Sequence, residues 1–105
     1  MGRVIAVPVS VTAAGSINVA AAPGSGKQNV LHGFVISQTA NGTIKAVSDA
    51  GGTPVELTGA LSVLAAFPLN TRFVTPLVCG TDKTLDLVTT GGNTAGVVFY
   101  SIEDA

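Results

Sequence analysis

The residues able to do chemistry are few. His32, Cys79, Tyr100 and six acids, Asp49, Glu56, Asp82, Asp86, Glu103 and Asp104, could move a proton, attack a carbon or hold an ion. Acid–base or nucleophilic catalysis needs such groups to meet in a pocket. His32 is the single imidazole and lies inside the apolar run 30–36. No Ser or Cys is tied to it by a recognisable motif, so it reads as a structural or interface histidine. Cys79 ends the apolar run 73–79 and reads as an inert small hydrophobe. A lone cysteine rules out an intrachain disulfide and leaves the compartment open. Asp82 and Asp86 bracket Lys83 across an expected turn, where they read as turn and rim solvation. A carboxylate pair for glycoside hydrolysis would have to be assembled by the fold.

Metal sites fail on counting, since one His and one Cys cannot build a zinc centre of the usual kind within a protomer. Calcium-loop spacing is also absent. An ion shared between symmetry mates through Asp82 and Asp86 is the one arrangement left open. Gly24-Ser25-Gly26-Lys27-Gln28 imitates a phosphate loop, but Ala21 replaces its first glycine and Gln28 its Ser/Thr. It reads as a flexible loop. Met1-Gly2 invites myristoylation, yet Ala6 stands where Ser or Thr is wanted. No catalytic, cofactor-binding or metal-ligating residue is assigned, and the chain is read as a non-enzyme.

The elements that position these residues are short. Thirteen Gly and five Pro punctuate runs rich in Val, Ile, Thr and Phe, which suit pleated, half-buried strands. Ile5, Val7, Val9 and Val11 share one parity, against Ala6, Pro8 and Ser10 on the other. Pro8 lacks an N–H, so this strand is expected at a sheet edge or with its proline nitrogen turned outward. Arg3, the apolar stretch 4–11 and Ala20-Ala21-Ala22 imitate an export signal, but Pro8, Ser10 and Thr12 dilute the stretch and favour a strand. Further strands are expected at 16–21, 29–37, 43–47, 54–57, 72–78, 84–89 and 97–102. Asn41-Gly42, within a glycosylation sequon, predicts a hairpin turn that pairs 29–37 with 43–47. A second turn is expected at 49–52. Residues 57–67 fit a short helix through Leu57, Leu61 and Leu64, or a strand through Leu61, Val63, Ala65 and Phe67. Gly59 and Pro68 favour strand or irregular structure. All four Phe lie in apolar runs and are expected in the core.

About eight strands at roughly ten-residue spacing predict one all-β domain over residues 1–105, an antiparallel, jelly-roll-like β-sandwich. Residues 1–11 form either an edge strand or an arm. Charged residues make up only 10% of the chain, against about 25% in a typical soluble domain. Charges are depleted at the core of interfaces, so the deficit points to burial against other subunits. A net charge of −1 with Arg3, Lys27, Lys45, Arg72 and Lys83 scattered singly offers no track for nucleic acid and no polybasic membrane face. No window reaches the roughly 18 apolar residues of a membrane span.

The apolar strand leading into Ser-Gln-Thr-Ala-Asn-Gly-Thr-Ile-Lys-Ala-Val (37–47), the Gly-Gly turn at 51–52, Phe-Pro-Leu-Asn-Thr-Arg-Phe (67–73) and the terminal Ala-Gly-Val-Val-Phe-Tyr-Ser-Ile-Glu-Asp (95–104) carry a resemblance. Over roughly 29–104 the chain resembles small β-rich virion proteins of tailed bacteriophages, of the capsid decoration (cement) type. The resemblance implies a sandwich that trimerises about a shared apolar axis and binds the major capsid protein on the virion surface. There it would stabilise the shell. The alternative is a tail-fibre or receptor-binding module that recognises host glycans.

Overall fold

Alternating apolar residues and frequent turn residues break the chain into nine strands and no helix, as the computed structural model of residues 3–105 describes. The strands are β1 (Ile5–Val11), β2 (Gly15–Ala20), β3 (Lys27–Gln38), β4 (Gly42–Ser48), β5 (Val55–Glu56), β6 (Leu61–Val63), β7 (Leu69–Val78), β8 (Leu85–Thr89) and β9 (Thr94–Asp104). Met1 and Gly2, where the myristoylation reading and the start of a possible arm fall, lie outside the described residues.

The pairings are nested. β1 pairs with β9, β2 with β8, β3 with β7, and β4 with both β5 and β6, all antiparallel. Such nesting is one long hairpin, and rolling it up adds the β3–β9 and β4–β8 contacts. The result is two sheets, in the orders β1-β9-β3-β7 and β2-β8-β4-β5, with β6 on the same edge of β4 as β5. The fold is a jelly-roll-like β-sandwich. Nine strands replace the expected eight because two short fragments follow one another along one edge of β4. Between them, the Leu57 and Thr58 amides both donate to the Ala46 carbonyl, which breaks the ladder. No helix forms over 57–67.

Pro8 sits on β1, an edge strand of the first sheet, where a missing N–H is tolerated. The Asn41-Gly42 hairpin does not form. β3 and β4 belong to different sheets, so this turn crosses the sandwich rather than closing a ladder. Positive φ is found at neither Asn41 nor Gly42, which is the geometry a type I′ turn requires. Gly42 is instead a point of close approach: a Cβ there would lie 2.5 Å from the Gly91 Cα. The Asn41 Oδ1 accepts from the Ala65 amide and ties two loops together.

The core lies between the sheets. Leu31, Phe34 and Ile36 of β3 meet Ile44 and Ala46 of β4, Leu85 and Leu87 of β8, and Val98 of β9, all fully buried. Each large aliphatic or aromatic side chain so buried stabilises the fold by about 1.5–3 kcal/mol relative to exposure. Phe73 packs edge-on to Phe34, with ring centroids 6.0 Å apart. The other two phenylalanines depart from expectation. Phe67 is 69% exposed on the loop before β7, and Phe99 is half-buried outside the core cluster. Both lie in apolar runs, but Phe99 falls on the outward parity of β9 and Phe67 on a loop that no strand carries into the core.

Candidate interaction surface

Parity and register decide what each sheet shows to its outside. In the second sheet, Ile44, Ala46, Leu85 and Leu87 point inward, so their neighbours Lys45, Val47, Asp86 and Val88 point out. Asn18 pairs with Asp86, Ser16 with Val88 and Glu56 with Val47 on that same face. The Lys45 ammonium donates to the Glu56 carboxylate across it at 2.8 Å. Polar groups dominate this side, as expected of a solvated antiparallel face.

The first sheet is different. Leu31, Phe34, Ile36 and Val98 face the core, and the outward set includes Ala6 and Pro8 on β1, Val97 and Phe99 on β9, and Val30 and Val35 on β3, beside polar Ser10, Ser37, Ser101, Asn70 and Arg72. Val35 stands directly opposite Val97, and Val97 opposite Pro8, making an apolar row across three strands. On β7 the row meets Asn70, opposite Val35; Val78 lies farther along, opposite Val30, and the unpaired Val74 is wholly exposed. Strands of seven to twelve residues, at about 3.3 Å per residue and about 4.8 Å between strands, give the whole outer face, polar positions included, roughly 600–700 Å². That approaches the roughly 800 Å² per partner of a standard protein interface. A second apolar feature is the tip formed by Leu64 and Phe67, 59% and 69% exposed, at one end of the sandwich.

A bulge between Leu31 and Gly33 makes His32 the extra residue of β3 against β9, while on the other side residues 73–76 of β7 bulge past it. Gly33 is required here, because β7 comes so close that a Cβ would lie 2.5 Å from the Thr71 carbonyl oxygen. The His32 Nε2 lies 2.8 Å from the Ser101 Oγ, and that hydroxyl donates to Glu103 Oε2 at 2.6 Å. His, Ser and carboxylate therefore meet, but in the wrong order for a nucleophilic relay. The serine proton is directed to the acid rather than to the imidazole, and Ser101 is fully buried. With that proton committed, His32 Nε2 is the donor, which fixes the tautomer and pins the bulge.

The remaining candidates are held apart. Asp86 is not a rim residue: it is 4% exposed and accepts from the Asn18 amide, the Ala50 N–H and the Thr84 hydroxyl. It thereby anchors the loop after β4. Asp82 accepts from the Gly24 N–H at 2.8 Å, so the two do not converge as a carboxylate pair. Among the described residues no three of His, Cys, Asp and Glu gather closely enough to hold a metal ion. The loop at 23–27 is tied down, not loose: Lys27 pairs with Asp104, which holds that carboxyl below its usual range, and the Ala105 amide donates to the Gly26 carbonyl. Cys79 is buried, and burial pushes its thiol up to about 11. Tyr100 packs against the core.

Comparison with protein-family models, curated proteins and solved structures finds no match.

What sequence reasoning missed was the outward face of the first sheet. Its signal was present: 29–37 and 95–102 are apolar at both parities, the pattern of strands covered on both sides. β3 and β9 are the two central strands of their sheet, and the fold covers one side of them.

Proposed function

We propose that the protein is a structural virion protein, a capsid decoration or cement protein that binds the major capsid shell as an oligomer and stabilises it. The observation that carries the reading is the apolar row Pro8, Val97 and Val35, with exposed Val74, on the outer face of the β1-β9-β3-β7 sheet, where the other sheet shows the Lys45–Glu56 pair. A lone domain in water gains nothing from such asymmetry, whereas a domain mounted on a shell buries the apolar side and leaves the polar side to solvent. The resemblance in residues 29–104 names the shell as that of a tailed bacteriophage. In this arrangement the sheet face meets the capsid and the Leu64–Phe67 tip meets other copies, as a trimer about an apolar axis.

The test is cosedimentation with expanded, empty phage heads. The reading expects saturable binding at a fixed copy number per head and a raised temperature of shell disruption. Val35→Glu, which places a carboxylate in the centre of the face, is expected to abolish binding while leaving the fold intact. Failure of the wild-type chain to bind shells, together with specific signals on a glycan array, would transfer the protein to the receptor-binding class.

A further inference from the structure

On the same sheet face, beside β7, the bulge at His32 opens a groove of about 450 Å³. Its lining combines apolar Val4, Phe73, Val74 and Phe99 with polar His32, Asn70, Thr71 and Arg72. The charges of the chain show what this groove lacks. All three lysines are paired, Lys27 with Asp104, Lys45 with Glu56 and Lys83 with Asp49. The other three acids are engaged as well: Asp82 by the Gly24 amide, Asp86 by three donors and Glu103 by the Ser101 hydroxyl. Among the described residues, the cations without an anion are Arg3 and Arg72. Arg72 lines the groove, and Arg3 precedes Val4 of its wall.

We infer that this groove receives a carboxylate side chain, set among apolar residues, from a protein chain other than a second copy of this one, with Arg72 as its anchor. Guanidinium offers a planar fork that matches a carboxylate at two points, and it tolerates an apolar surround better than an ammonium does. Val74 and Phe99 supply the dry wall that strengthens such a pair, and arginine beside aromatic rings is the usual composition of an energetic centre. A second copy is disfavoured because each of its six acids already has a partner. A nucleic acid is disfavoured because two free cations cannot track a run of phosphates. The inference rests on the proposed capsid role only for the partner's identity; the carboxylate specificity of the groove stands on the geometry.

The test is an NMR titration of the intact chain with the capped peptide acetyl-Val-Phe-Asp-Val-amide. The Arg72 Nε–H and Gly33 amide signals are expected to move saturably in the millimolar range. Replacing the peptide Asp by Asn, or Arg72→Gln in the protein, is expected to weaken binding about tenfold each, and Arg72→Lys to restore part of it. Arg72 is exposed, so the variants keep the wild-type fold and spectrum. Equal binding of the Asp and Asn peptides, shifts outside the groove, no binding at all, or a response to inorganic phosphate but not to peptide would each overturn the inference. Lost peptide selectivity with shell binding retained overturns the groove alone. Retained selectivity without shell binding overturns the capsid reading alone.

Discussion

Removing the apolar tip should dissociate the proposed oligomer without weakening the fold. Leu64 and Phe67 are 59% and 69% exposed, so each has more than half of its surface still to lose to a neighbouring copy. Full burial of a Leu or Phe contributes about 1.5–3 kcal/mol, and the uncovered share of the two together amounts to about 2–3 kcal/mol per subunit. The double variant Leu64→Ser, Phe67→Ser should therefore weaken each subunit contact by roughly 30- to 150-fold. A closed ring counts that loss at every contact, which moves assembly from micromolar concentrations to beyond the millimolar range. The fold should hardly respond, because exposed positions away from caps and networks usually change stability by less than about 0.5 kcal/mol. Sedimentation equilibrium between 1 and about 200 μM, beside urea denaturation monitored by circular dichroism, measures both quantities. An unchanged association constant in the double variant refutes the assignment of the tip as the contact between copies. A large loss of monomer stability refutes the premise that these side chains stand free.

Three further outcomes follow from the packing. Gly33→Ala forces a methyl group to within 2.5 Å of the Thr71 carbonyl oxygen; urea titration should show a loss of about 1–3 kcal/mol, as in other overpacked sites, and a neutral result would mean that β7 can move away. Asp86→Ala leaves the Asn18 amide, the Ala50 N–H and the Thr84 hydroxyl without their acceptor. Its expected cost is about 2–4 kcal/mol, with the greatest gain in hydrogen exchange over residues 49–53. Burial raises the Cys79 thiol from 9.0 to about 11, so the unfolded chain ionises first as the medium becomes alkaline. The contribution of this group to stability is intact below about pH 9 and declines as pH rises towards 11. Cys79→Ala should show a shallower loss of stability between those limits than the wild type, and parallel curves would contradict the assignment. At pH 8 a thiol reagent should react with Cys79 only at the unfolding rate.

The strands themselves were legible because their signals are local. The parity of Ile5, Val7, Val9 and Val11 separates two faces of a ribbon wherever that ribbon goes. Pro8 likewise announces an edge without naming the sheet, because the missing N–H is a property of one residue. The span 57–67 stayed non-helical because Gly59 and Pro68 leave too little room for stable turns. Sheet membership was not legible. Asn41-Gly42 is a strong local hairpin signal, yet β3 finds β7 and β9 while β4 finds β5, β6 and β8. Burying Ile44 and Ala46 against β3 across the core outweighs a two-residue turn preference.

The same division holds for the surface and the side-chain clusters. That few ionisable residues exist, and that no sequence motif joins them, is written in the chain alone. That His32, Ser101 and Glu103 meet, with the serine proton directed to the acid, required strands 69 residues apart in sequence to pair with a bulge between them. That Asp86 is buried and committed required the loop after β4 to fold over it. The apolar runs at 29–37 and 95–102 determined that two strands would carry hydrophobic groups on both faces. Only the tertiary structure decided that one of those faces is left uncovered. A single sandwich has one interior, and two central strands apolar on both sides present it with more hydrophobic surface than that interior can enclose.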